Sequence, residues 1–206
     1  MNLLELTSQE EASLIAYIVF YDQMDLSVFR DKIADIIEEK GKNLTGIVYR
    51  GHSKKDDSIQ LTTSFISTTP TKKMAELFVE TDWSIDEGTL IGNLFKIYLV
   101  NMKTLNTREV NYTFSPDVLQ DLKQLVGTKM ILKKDKMYTF EEYIPFIQKN
   151  LQNLVSQGDE ILVLNNGQFY KDSSFSVKGF KEIHAPGDDA FYETWYANTC
   201  KTQEIS

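Results

Sequence analysis

Cysteine and histidine are scarce in this chain of 206 residues, which holds one cysteine, Cys200, and two histidines, His52 and His184. One thiol makes no internal disulfide, and three such residues scattered along the chain supply no metal-ligand set, so no metal is expected. Long apolar runs are missing as well: Leu14 to Tyr21 and Ile161 to Leu164 fall well short of the roughly 18 residues that a membrane-spanning helix requires. Basic charge is in deficit, with 22 Lys and Arg against 30 Asp and Glu and a net charge of -8. That balance opposes attraction to phosphate backbones and disfavours a nucleic-acid partner, and the small cluster Lys133, Lys134 and Lys136 reads as a solvated turn. The opening MNLLELTSQEE reaches acidic residues with no basic segment leading into an apolar run. It does not read as a secretory signal, and cytoplasmic residence is the expectation. Neither a Walker-type phosphate loop nor a Rossmann glycine fingerprint is present, and no repeat or linker divides the chain.

What is there is ordinary globular composition, 42% hydrophobic and 25% charged, enough for one domain with a sizeable core. Ser8 and Glu11 stand at capping-box spacing, and Leu14, Ile15, Ile18 and Val19 continue at helical intervals. Asp25 is placed to cap a second helix in which Phe29, Ile33, Ile36 and Ile37 form the apolar stripe and Arg30, Lys32, Glu38 and Glu39 face water. Short β-branched and aromatic runs then predict strands at Ile47 to Arg50, Leu61 to Thr69 and Leu90 to Val100. Pro70 opens a short helix with Met74, Leu77 and Phe78 on one side. Ser115-Pro116-Asp117 starts a helix to about Leu125, and Thr139 with Glu142 starts another, which Pro145 either kinks or delays before Ile147, Leu151 and Leu154 continue its stripe. The remainder, ILVL, QFYKD, SFSVKGFKEIH and AFYETWYA, reads mostly as strand, and the class is α+β.

Three stretches bear chemistry when taken together: IVYRG at 47 to 51, FISTT at 65 to 69 and DEILVLNNGQF at 159 to 169. In this order they resemble the signature of the arginine-serine-glutamate class of mono-ADP-ribosyltransferases, and LTSQEEASLIAY resembles that family's N-terminal helical region. Size and the missing secretion features look more like the compact transferases of bacteriophages and other viruses than like secreted toxins, which would place the protein in a host cytosol. The resemblance implies one ADP-ribosyltransferase-like domain over 1 to 206, with N-terminal helices to 45 and a catalytic core from 46 to 200. It further implies two antiparallel-rich sheets, with flanking helices, that form a cleft for NAD. NAD is then the substrate, the partner is a protein acceptor, and neither a membrane nor a metal is involved.

The resemblance gives Arg50, Ser67 and Glu160 the catalytic roles and adds Gly51 and Thr68 to the NAD-binding residues. Arg50 suits a dinucleotide, because its planar fork makes the paired hydrogen bonds that a lysine cannot. Gly51 lets backbone approach the nicotinamide amide, and Ser67 is implied to hold the carboxylate of Glu160. Breaking the nicotinamide-ribose bond develops positive charge on the sugar, which a fixed carboxylate at Glu160 stabilises while it hydrogen-bonds a ribose hydroxyl. Taken singly, each stretch also reads plainly: a strand-end arginine, a polar strand face, a solvated glutamate.

Two positions depart from the family pattern. Thr69 stands where a second serine is usual and keeps the hydroxyl. Gly158 stands where arginine-modifying members carry a glutamate, with Gln157 and Asp159 beside it. The acceptor is therefore open: Gln157 substitutes through a shifted turn, Asp159 faces the acceptor, or water accepts and the protein is an NAD glycohydrolase. An inactive relative that binds a partner is the reading from another class.

Overall fold

The computed structural model describes residues 3–20, 27–52, 64–76, 81–82, 89–90, 93–127, 131–133, 136–165 and 180–183. In chain order its elements are α1 (Ser8–Phe20), α2 (Ser27–Lys40), β1 (Lys42–His52), β2 (Phe65–Thr68), α3 (Lys72–Glu76), β3 (Thr81–Asp82), β4 (Thr89–Leu90) and β5 (Asn93–Asn106). A 3-10 turn (Thr107–Glu109), α4 (Pro116–Val126), β6 (Ile131–Lys133), β7 (Lys136–Tyr138), α5 (Phe140–Gly158), β8 (Ile161–Leu164) and β9 (Phe180–Ile183) complete them. The class is α+β, and the chain divides into two compact units. A helical one is built from Met1–Gly41 and Leu105–Glu160, and a sheet one from Lys42–Thr104 and Ile161–Ser206.

The helical unit is organised around α1, against which α2, α4 and α5 all pack. The cause lies in its sequence: all residues from Glu11 to Tyr17 are buried, so the helix has no solvent face along its middle and needs neighbours on every side. Ala12 and Ala16 allow close approach, and the core they share holds Ile15, Phe20, Val118, Leu122, Phe140, Tyr143, Ile147 and Leu151. On α2 the apolar stripe of Ile33, Ile36 and Ile37 is buried while Lys32, Glu38 and Glu39 are exposed, as the spacing predicts.

Helix starts follow local chemistry. The Ser115 hydroxyl accepts from the Val118 N–H with Pro116 at the first helical position, and Gly127 ends α4 at φ 75°, where glycine meets no Cβ penalty. Thr139 and Glu142 form a complete capping box. Helix α5 starts there and runs on through Pro145, which is exposed, so the carbonyl that loses its N–H partner lies on the solvent side. Leu154, expected on the buried stripe, is 48% exposed, because the stripe of Tyr143, Ile147 and Leu151 continues to Val155 instead.

At α1 the box is shifted by one residue from the expected Ser8 and Glu11. Thr7 is the cap, its N–H donating to Glu10 Oε2 at 2.7 Å and its Oγ1 accepting from the Glu10 N–H at 3.4 Å. Glu11 is only 1% exposed and turns inward instead. Its carboxylate accepts from the Thr113 N–H at 2.7 Å, the Thr113 hydroxyl at 2.9 Å and the Phe114 N–H at 3.0 Å. Phe114 has φ 50°, a left-handed conformation that a bulky residue holds only when its surroundings impose it, and the Glu11 anchor supplies that constraint.

In the sheet unit the strand order is β1-β5-β8-β2, with β9 also paired to β5. The β1–β5, β2–β8 and β5–β9 pairs are antiparallel. The β1–β5 register slips between Leu44, opposite Met102, and Gly46, opposite Leu99. Thr45 thus faces two residues, and its Oγ1 accepts from the N–H of Asn101, which sits at φ 52° in the bulge. The sheet curls until its two outer strands meet, with Tyr49 and Thr69 exchanging both backbone hydrogen bonds at 2.7 and 2.9 Å. Val48, Ile66, Ile97, Leu99, Ile161 and Val163 fill its core. All four residues of β8 are buried, so this strand lacks the half-polar alternation of a surface strand. Two short ribbons, β3–β4 and β6–β7, stand outside this sheet, the second placing Lys133 opposite Lys136.

Candidate functional site

Strand β1 is longer than its apolar run suggests, so Arg50 lies inside it, opposite Phe95 and two residues short of its end. The curl sets this part of β1 beside β2, where the Arg50 Nη1 donates to the Ser67 carbonyl oxygen at 2.6 Å. A short bond from a charged donor to a main-chain oxygen is the strong kind, and it holds the guanidinium against the seam. Ser67 is half-buried opposite Leu162, and Thr68 is buried opposite Ile161 with its hydroxyl donating to the Ile161 carbonyl at 2.7 Å. Gly51 follows Arg50 on β1, opposite Leu94. Arg50, Gly51, Ser67 and Thr68 therefore gather at one place on the sheet unit.

Glu160 is the last residue of the helical unit, and its own partners there place it. The Tyr17 hydroxyl on α1 donates to Glu160 Oε1 at 3.2 Å. The Glu160 carbonyl accepts twice from Thr107, from its N–H at 3.0 Å and from its hydroxyl at 3.2 Å. Thr107 in turn is buried, and its own carbonyl accepts from the Tyr112 hydroxyl at 3.0 Å. Burial foremost, with the nearby carboxylates of Glu160 and Glu11 adding to it, pushes the Tyr112 phenol far above the usual tyrosine range. Tyr112 therefore stays neutral and keeps its proton to donate.

The residues expected to face an acceptor have distinct positions. Gln157 and Gly158 are the last two residues of α5. Asp159 caps that helix in the left-handed conformation, at φ 42°, and its carboxylate pairs with Arg108 Nη1 at 3.0 Å near the surface. The helix thus runs to within two residues of Glu160. His52 ends β1, whereas Leu77, Phe78, His184, Cys200 and the NGQF that follows Asn165 lie outside the described residues.

Sequence reasoning passes over Tyr17, Thr107 and Tyr112 and gives Glu11 only a capping role. One signal was available for Tyr17: a tyrosine inside an all-apolar helical run must find a partner for its hydroxyl once buried. Among the described residues no helix is long and apolar enough to cross a membrane, and no group of His, Cys, Asp and Glu is arranged to hold a metal ion. Compared with family models, with curated proteins and with solved structures, the chain matches none of them.

Proposed function

We propose that the chain is an NAD-dependent mono-ADP-ribosyltransferase that moves ADP-ribose from NAD to a protein side chain and releases nicotinamide. The observation that carries this reading is the Arg50–Ser67 contact: two of the three motif residues, 17 positions apart, are neighbours through a 2.6 Å hydrogen bond. The order of the three motifs along the chain supports it, as does the double hold on the main chain of Glu160, directly before a buried strand.

In this reading the Arg50 fork binds the pyrophosphate, and Gly51 admits the nicotinamide amide against backbone. Ser67 and Thr68 complete the NAD-binding residues of a cleft between antiparallel-rich sheets. The bond from ribose C1′ to the nicotinamide nitrogen breaks and nicotinamide leaves with the electron pair. Glu160 stabilises the positive charge left on the sugar, and the acceptor adds to C1′ and gives up its proton. The Asp159–Arg108 pair favours a second reading with water as the acceptor, since the carboxylate nearest in sequence to Glu160 is already engaged.

Purified protein incubated with labelled NAD, with and without cell lysate, separates these readings. Nicotinamide release with labelled protein supports the transferase, release without it supports a glycohydrolase, and no release leaves a binding module. Glu160→Gln keeps the size of the side chain and removes its charge, so release should fall by about 100-fold or more. Arg50→Lys should raise KM for NAD more than it lowers kcat. A Glu160→Gln protein as active as the wild type overturns the assignment.

A further inference from the structure

Glu160 is held at both ends. Its main chain accepts two hydrogen bonds from a single residue, Thr107, and its side chain accepts one from Tyr17, which is 143 positions away in sequence. Each donor is itself constrained. Tyr17 is 6% exposed on the helix that the whole unit packs around, and Thr107 is 1% exposed with its carbonyl tied to Tyr112. Helix α5 and its left-handed cap at Asp159 end immediately before Glu160, so the backbone enters from a defined direction.

We propose that Tyr17 and Thr107 are positioning residues for the Glu160 carboxylate: Thr107 sets its main chain, and the Tyr17 hydroxyl selects its rotamer and orients one oxygen. The inference rests on the reading of Glu160 as the catalytic carboxylate, and it goes beyond that reading by assigning the support of the carboxylate to α1 and the 3-10 turn. A glutamate has three rotatable bonds, and an unheld one divides its time among several rotamers. A hydroxyl donor to one carboxylate oxygen favours the oriented form in which it can stabilise a cationic sugar. The Tyr112 phenol lies close to both Glu160 and Glu11, and Asp159, adjacent in sequence, pairs with Arg108. Glu11 is committed to Thr113 and Phe114, and Tyr112 to the Thr107 carbonyl.

The test uses the full chain with Tyr17→Phe, which keeps the ring in the core, and Thr107→Val, which keeps the β-branched shape and the N–H. The carboxyl carbon resonance of Glu160, assigned by its disappearance in Glu160→Gln, should move in Tyr17→Phe. In the same variant kcat for nicotinamide release should fall about tenfold while KM for NAD stays within about twofold. Thr107→Val should lower kcat about threefold. An unmoved resonance in Tyr17→Phe, or a loss confined to KM, overturns the proposal. A wild-type chain that releases no nicotinamide, with the resonance still moved by Tyr17→Phe, sinks the enzymatic reading and leaves the clamp on the carboxylate supported.

Discussion

The helical unit and the sheet unit place their candidate residues by different means. Around Glu160 and Glu11 particular side chains join segments far apart in sequence: the Tyr17 hydroxyl reaches one carboxylate, the other carboxylate gathers the N–H groups of Thr113 and Phe114 and the Thr113 hydroxyl, and the Thr107 hydroxyl reaches a carbonyl. Around Arg50 and Ser67 the acceptors are main-chain oxygens, Ser67 for the arginine and Ile161 for Thr68, and their positions follow from strand register. Ladder geometry is generic, so the sheet can present a guanidinium at a set place whatever side chain its acceptor residue carries. The helical arrangement depends on the identity of particular side chains, and single substitutions should reach it more easily.

The most direct way to break that contrast is Glu11→Ala. It removes one buried acceptor and leaves two backbone N–H groups and a hydroxyl without it, at about 3 kcal/mol or more in total. Thermal unfolding followed by circular dichroism should show a fall in Tm of about 6–12 °C for a chain of this size. In the sheet unit Thr68→Val removes a buried donor from a carbonyl and keeps the shape, so about 1 kcal/mol and a fall of about 2–4 °C are expected. Equal losses in the two variants would erase the distinction.

The smallest effect concerns the start of α1. Burial works against charge on Glu10, but the hydrogen bonds from Lys40 and Thr7 and the attraction of the ammonium outweigh it and hold the carboxyl below its ordinary value. The folded pKa is thus lower than the unfolded one. The resulting stability is present above the unfolded value and disappears as pH falls through the folded one. Between about pH 5 and pH 3 the Tm of the wild type should drop by more than that of Glu10→Gln. Parallel profiles would show that the cap and ion pair contribute nothing measurable, as for many exposed pairs.

Legibility from sequence divides along the same line. Local chemistry was readable: Ser115-Pro116-Asp117 starts α4, Thr139 and Glu142 start α5, and Ile33, Ile36 and Ile37 are the buried face of α2. The class and the strand at Ile161–Leu164 follow from patterning. Where two local solutions share one spacing, tertiary demand decides. Thr7 with Glu10 and Ser8 with Glu11 are both possible boxes, and the need for an acceptor at Thr113 and Phe114 draws Glu11 inward. Of ribbon β6–β7 the sequence shows only Lys133 and Lys136, as part of a turn, because three-residue strands carry too little alternation to register. Arg50 and Ser67 are legible as residues, but no spacing announces the curl that joins β1 to β2 through Tyr49 and Thr69. The Tyr17–Glu160 bond joins residues from opposite ends of the unit's sequence, and periodicity has no reach over such a distance.

The reciprocal pairing of Tyr49 with Thr69 has a further consequence, for how the molecule behaves in a crowd. An outer strand normally offers a row of unmatched amides and carbonyls on which an invading chain can template itself and begin an aggregate. Here both groups of Tyr49 and both groups of Thr69 are already taken by each other, so an incoming β-segment gains no backbone bond at that point. The same fold-back that steadies the arginine thereby works as protection against self-association.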